Sequence, residues 1–216
     1  MTVTAKQASS GYKKDLAALS YQVTAGSVAE GDDLKFAAVT SVKKCYAAKK
    51  YENAITVSYD KNNTNYDVTV IPADYTVTES TLQVTAEGYE GTYDGKAHRA
   101  KVTAKTGELF KTARIYYSAD KKVTAENYSH MATECPAFTD AGTHTVYYYA
   151  VCDNYKSVAG SVKVTIAKAV LNVAVGSTEL TYGATDAEMK EALKNLADSA
   201  AAVTFEGLIG SDTKES

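Results

Sequence analysis

The chain has 216 residues and a net charge of −3 with both signs interspersed, and its 17 Tyr stand beside no Trp and only 2 Pro. That length admits one large domain or two to three small ones. No Lys/Arg run offers the charge that nucleic-acid phosphates need, and no apolar run is long enough to span a membrane. No signal peptide precedes Thr2-Val3-Thr4, so the sequence reads as an excised piece of something longer. Abundant Tyr, Thr and Val favour pleated, half-buried positions and predict a mainly β chain.

Residues 1–80 form a first β-rich module. Alternating runs mark strands at Tyr21–Thr24, Leu34–Phe36, Ile55–Tyr59 and Tyr66–Val70. The turn formers Asp60 to Asn65 predict a hairpin loop between the last two, and Asp15 to Leu19 suggests one helical turn. Residues 81–168 form a second module, with strands near 81–87, 98–105, 113–119, 143–152 and 160–167. Short strands at that spacing, separated by Tyr93-Asp94-Gly95-Lys96 and Thr139-Asp140-Ala141-Gly142, predict a β-sandwich. Residues 169–216 open a third module with a strand at Val170 to Val175 and an amphipathic helix over 185–201. Thr185 and Glu188 make a capping box, and Met189, Leu193, Leu196 and Ala200 fall on one face, expected to pack on a core.

The modules are tied together by an internal echo. Val3–Tyr12, Val84–Tyr93 and Val173–Tyr182 share one nine-residue interval, with periods of 81 and 89 residues between copies. Asn65-Tyr66 and Asn154-Tyr155 each stand 18 residues before the next valine. Residues 203–212 echo 21–32, while the first module continues for about 45 residues beyond that point, so the third reads as a front half. No Gly/Ser-rich or Pro-rich spacer lies between modules, an arrangement expected to give a semi-rigid rod.

Two resemblances follow from these residues. Ala169-Val170-Leu171-Asn172-Val173, Thr181-Tyr182-Gly183 and Phe205-Glu206-Gly207-Leu208-Ile209-Gly210-Ser211-Asp212 make the third module similar to the MBG repeat, tyrosine-glycine type, of large bacterial surface proteins. Leu19–Thr24, Gly31-Asp32 and Asn65–Val70 extend that similarity to the first module, which departs from it at Gly11-Tyr12-Lys13. The middle module resembles a bacterial immunoglobulin-like domain through Asp140-Ala141-Gly142-Thr143-His144-Thr145-Val146. There His144 takes the place of the corner tyrosine and Val146 that of the cysteine. The resemblance implies a stalk or adhesin region of an exported bacterial cell-surface protein, extracellular, with no catalytic residues. Two alternatives are a carbohydrate- or protein-binding module and an accessory region of a secreted polysaccharide-degrading enzyme. The partners implied are a host or neighbouring-cell glycan or protein and adjacent repeats of the same parent chain.

The sequence offers no metal or cofactor motif. His98, His130 and His144 lack neighbours at ligand spacing, and no HExxH, nucleophile elbow or phosphate-cradling glycine loop occurs. The loop from Asp60 lacks both the glycine and the closing carboxylate of a calcium site, since Ile71 falls at the closing position. The odd count of three cysteines leaves two readings: three unpaired thiols, which the sequence favours, or a Cys135–Cys152 bridge with Cys45 left over. Tyrosine is the best functional lead. If Val146, Tyr148 and Ala150 face the core, alternation turns Tyr147 and Tyr149 outward, where Tyr116 of a neighbouring strand joins them. Such a row stacks on sugar rings or anchors a protein contact, or else its rings pack on each other.

Overall fold

The computed structural model describes residues 1–216 apart from 110, 200, 201, 211 and 214–216. The protein is mainly β, with several small sheets and, among the described residues, one α-helix near the C-terminal end. The chain divides into two compact units. Residues 1–85, 103–115 and 149–159 make the first, and residues 86–102, 116–148 and 160–216 make the second. This division does not follow the boundaries expected from sequence periodicity, because two stretches of the middle module share a core with the first.

The first unit begins with β1 (Thr2–Ala5), β2 (Ala8–Gly11), β3 (Tyr21–Ala25), β4 (Ala37–Thr40) and β5 (Lys50–Ser58). It continues with β6 (Thr69–Ile71), β7 (Ala73–Thr78) and β8 (Ser80–Thr81). One sheet has the order β3-β1-β6, in which β1 runs antiparallel to β3 and parallel to β6. A second has the order β2-β7-β5-β4. Period-2 alternation points Val3 and Ala5 of β1 and Tyr75 and Val77 of β7 inward. With Ile55, Val57 and Cys45 they form the core, and each fully buried Val or Ile stabilises the fold by roughly 1.5–3 kcal/mol.

Several local readings change here. Lys35 sits at φ 50, in the left-handed region, so no strand forms over Leu34–Phe36 and β4 starts at Ala37. Asp15–Leu19 makes no helical turn; the Ala17 N–H donates to the Tyr75 hydroxyl at 2.8 Å instead of closing a helix. The Asp60–Asn65 loop is built from two Asx turns, but it joins strands of different sheets and is no hairpin. The strand expected from Tyr66 begins only at Thr69, and the Tyr66 hydroxyl donates to Asp32. A register shift between Tyr51 and Ile55 marks a bulge in β5. There Asn53 adopts φ 51 and donates its N–H to Asp74 Oδ1 at 2.9 Å.

The middle of the chain supplies β9 (Gln83–Glu87), β10 (Tyr89–Thr92), β11 (His98–Arg99), β12 (Lys101–Lys105) and β13 (Arg114–Ser118). After a short 3-10 turn at Tyr128–His130 come β14 (Ala137–Phe138), β15 (Gly142–Cys152) and β16 (Tyr155–Ala167). The main sheet has the order β10-β16-β15-β13, with β8 also paired to β16, while β12 pairs with β9 and β11 with β14. The apolar centre of the second unit comprises Ala100, Tyr117, Val123, Val146, Val164 and Ile166, all buried.

His144 stands near the start of β15. Its Nε2–H donates to the Asp140 carbonyl at 3.1 Å, and its ring stacks on Phe138 at 4.3 Å. That bond ties the start of β15 back to the turn before it. Cys135 and Cys152 are free thiols, directed at the carbonyls of Ala100 and Thr112, and Cys45 is free and buried. Burial pushes the thiol pKa values of Cys135 and Cys152 up.

The second unit also contains β17 (Asn172–Val175), α1 (Asp186–Ala197) and β18 (Val203–Glu206), with β17 and β18 forming a two-stranded antiparallel sheet. The capping box forms as expected: Thr185 Oγ1 accepts from Glu188 N, and the Glu188 carboxylate accepts from Thr185 N at 2.7 Å. That N–H bond holds the Glu188 carboxyl below its usual range. The apolar stripe is not buried, however. Met189 and Leu193 are exposed, and Ala200 lies outside the described residues. Capping is a local event within one turn, whereas burying a stripe needs a facing surface, and β17 and β18 are themselves largely exposed.

Candidate functional site

The three tyrosines expected as an outward row occupy different surroundings. Tyr116 is half-buried and packs edge-on against Tyr128 with ring centroids 5.1 Å apart. Tyr147 is half-buried on β15. Tyr149 is buried rather than outward, and its hydroxyl lies 2.7 Å from Ser157 Oγ on β16. Alternation gives a strand two faces, but neighbouring elements decide whether the second is covered. Here the hydroxyl is satisfied by Ser157, so burial of the polar tip carries little penalty.

The tyrosines instead act through their hydroxyls as loop staples. Tyr75 has no exposed surface; its hydroxyl bonds Ser10 Oγ at 2.7 Å and accepts from Ala17 N. Tyr66 donates to Asp32 Oδ2 at 2.6 Å and accepts from Ala29 N at 2.9 Å. Tyr155 lies within 2.6 Å of Glu108 Oε1 and 2.9 Å of the Thr106 carbonyl. The two Asn-Tyr pairs of the sequence echo thus share one task, since each tyrosine ties a distant loop through a carboxylate.

Around Tyr155 the first unit joins residues far apart in sequence. Tyr12 meets the Tyr155 ring edge-on at 5.7 Å, and Lys111 Nζ lies 4.7 Å from the Tyr12 ring centre and 5.2 Å from that of Tyr155. Lys13 pairs with the second oxygen of Glu108. Burial, reinforced by the Glu108 hydrogen bond, pushes the Tyr155 phenol up to about 12. The Lys13 bond, and then the Tyr155 bond, hold the Glu108 carboxyl below its usual range; the same Glu108 bond raises the Lys13 ammonium. Nearby, Ser80 N donates to the Asn154 carbonyl at 2.9 Å, and Asn154 Oδ1 accepts from Ala48 N at 2.8 Å. Asn154 sits at φ 67, a conformation that Asn tolerates better than most residues.

The second unit contains a cleft of about 370 Å³ lined by Tyr93, Asp140, Lys168, Leu171, Ile209 and Asp212, among others. Tyr93 is placed by its N–H, which donates to the Ala167 carbonyl at 2.8 Å, and its hydroxyl reaches toward Asp212 at 3.5 Å. The Asp212 charge, then burial, raises the Tyr93 phenol, with Asp140 and Asp94 adding smaller effects. Beside it, Asp94 Oδ1 lies 2.8 Å from His98 Nε2, and His98 stacks on Tyr89 at 4.0 Å. That histidine bond comes first among the causes lowering the Asp94 carboxyl. The sequence marked Tyr93 as an echo position and Asp140, Leu171, Ile209 and Asp212 as residues of the two resemblances, but nothing in it brought them together as one cleft. Leu171 and Ile209, which also line it, are remote from Tyr93 along the chain.

Among the described residues, no group of three or more His, Cys, Asp or Glu is arranged to hold a metal ion. No helix among them is long and apolar enough to cross a membrane.

Comparison with protein-family models finds no match, and comparison with curated proteins finds none either. Among solved structures, the chain is similar to the fibronectin(III)-like modules of Clostridium thermocellum CbhA. The identity is 14%, covering 77% of this chain and 94% of that one, with a TM-score of 0.29. At that score the backbones do not superpose closely, so the functional reading is built from this chain's own geometry.

Proposed function

We propose that this chain is a structural and interaction segment of an extracellular bacterial surface protein, a stalk or adhesin repeat region that performs no catalysis. The observation that supports it is the seam inside the first unit. Where a flexible connector would stand, Ser80 and Thr81 are already strand β8, paired in parallel with Tyr155 and Lys156. Tyr12 N donates to the Thr78 carbonyl at 2.8 Å, Leu82 is buried, and the Tyr155 cluster ties Lys13 to Glu108. A junction with paired backbone groups and Leu82 anchored in the core transmits load and orientation, which suits a spacer better than a hinge. Limited proteolysis tests this. Cleavage within Thr78–Val84 is expected to be no faster than in the core strands, and rapid cutting there overturns the spacer. Antibodies against the chain are expected to label intact cells of the source bacterium; labelling only after lysis removes the surface location.

The Tyr93 cleft favours a second reading, a small carbohydrate-binding site. Its volume of about 370 Å³ falls at the low end for ligand pockets. A phenol and carboxylates beside apolar side chains suit hydroxyl-rich rings. A glycan array in which Tyr93→Ala and Asp212→Ala leave every signal unchanged rejects it.

A further inference from the structure

In the first unit, β1 is a central strand. Val3 pairs with Val23 of β3 on one edge and with Val70 of β6, in parallel, on the other. Under that cover Val3 is fully buried. The second unit repeats half of this arrangement. Val173, the echo of Val3, pairs with Phe205 of β18 as Val3 pairs with Val23. Ala174 with Thr204 and Val175 with Val203 continue the ladder. Among the described residues, however, no strand pairs with the other edge of β17. Val173 is 54% exposed and Val175 77%, and Tyr182, the echo of the buried Tyr12, is wholly exposed.

An open edge with exposed valines is a template for strand addition, in which backbone bonds give affinity and alternate side chains give register. The first unit shows which strand fits. Its β6 is short and uncharged, Thr69-Val70-Ile71, and presents its central valine to Val3. We infer that the free edge of β17 is an acceptor for an extended strand of the β6 type. The added strand runs parallel to β17 and places a β-branched residue beside Val173. The register copies that of β1 with β6: the residue in the Thr69 position lies opposite Asn172, and the one in the Ile71 position lies opposite Ala174.

The occupant is therefore a partner segment with the alternating Val/Thr chemistry of β6, and the probe is a synthetic peptide of residues 65–72 of this chain. Titrated into the full chain and followed by ¹⁵N NMR, it is expected to shift and protect the amides of Asn172–Val175. A copy N-methylated at the Thr69 position, whose N–H donates to the Met1 carbonyl in the first unit, keeps its side chains but loses a strand hydrogen bond, and is expected to bind at least about tenfold more weakly. Val173→Lys is expected to weaken binding similarly while leaving the far-UV circular dichroism of the free chain unchanged, since that side chain is already half exposed. No binding of the native peptide, equal binding of the methylated one, or shifts mapping away from β17 each overturn the inference. So does a peptide-independent dimer in light scattering with β17 protected, because the edge then takes a second copy of itself.

Discussion

Replacing Tyr155 with Phe removes one oxygen from the cluster it forms with Tyr12, Lys13, Glu108 and Lys111 and leaves its ring in place. The hydroxyl's single proton is donated to the Glu108 carboxylate at 2.6 Å and shared with the Thr106 carbonyl at 2.9 Å, on a side chain with 5% of its surface exposed. A hydrogen bond to a charged group contributes about 1.5–3 kcal/mol and a neutral one about 1 kcal/mol. Glu108 keeps its Lys13 bond in the variant, so the expected loss is about 2–3 kcal/mol. For a chain of this size that corresponds to a fall in Tm of about 5–10 °C. Urea unfolding followed by far-UV circular dichroism measures it, and a double-mutant cycle with Glu108→Gln isolates the pair. The cluster also has a signature in alkali. The phenol is raised from 10.0 to about 12, so its contribution is complete below pH 10 and lost as pH rises through about 12. The Phe variant is expected to lose that part of the alkaline decline. A loss under about 0.5 kcal/mol, below even a single neutral hydrogen bond, together with an unchanged alkaline limb, refutes the staple.

Three further outcomes are expected. Asn154→Ala removes the bond to Ala48 N and puts a Cβ-bearing residue without a local acceptor at φ 67, costing about 1–3 kcal/mol in thermal melts. Asn154→Gly restores the backbone freedom and is expected to cost less. Gly88→Ala places a methyl 2.5 Å from the Lys163 carbonyl, where β10 runs beside β16, and is expected to speed hydrogen exchange of the Tyr89–Thr92 amides. Thr185→Ala removes the cap of α1 and is expected to weaken the helix by about 1 kcal/mol, read from helical circular dichroism. Because the Glu188 carboxyl is held low, its share of the cap is present above its ordinary 4.5 and disappears as pH falls through the lowered value.

What sequence alone determined here was local. The mainly β composition, the long strands flanking Asn154, the Asx turns at Asp60–Asn65 and the Thr185 capping box follow from propensity, alternation and bonds spanning a few residues. The same local rules misplaced the strand at Leu34, because a single left-handed residue overrides alternation without altering the pattern. Only tertiary structure decided the fate of the echo. Tyr12, Tyr93 and Tyr182 read alike along the chain, yet they are buried, half-buried and wholly exposed. Val3 and Val173 sit in similar antiparallel ladders, yet the first is closed in by β6, and no strand among the described residues covers the second. Tyr149 was legible as a strand residue, but neither its burial nor the meeting of its hydroxyl with Ser157 across the hairpin could be read from the pattern. Periodicity specifies which side of a strand a residue takes; it carries no information about what lies there, because burial belongs to pairs of surfaces and not to single segments.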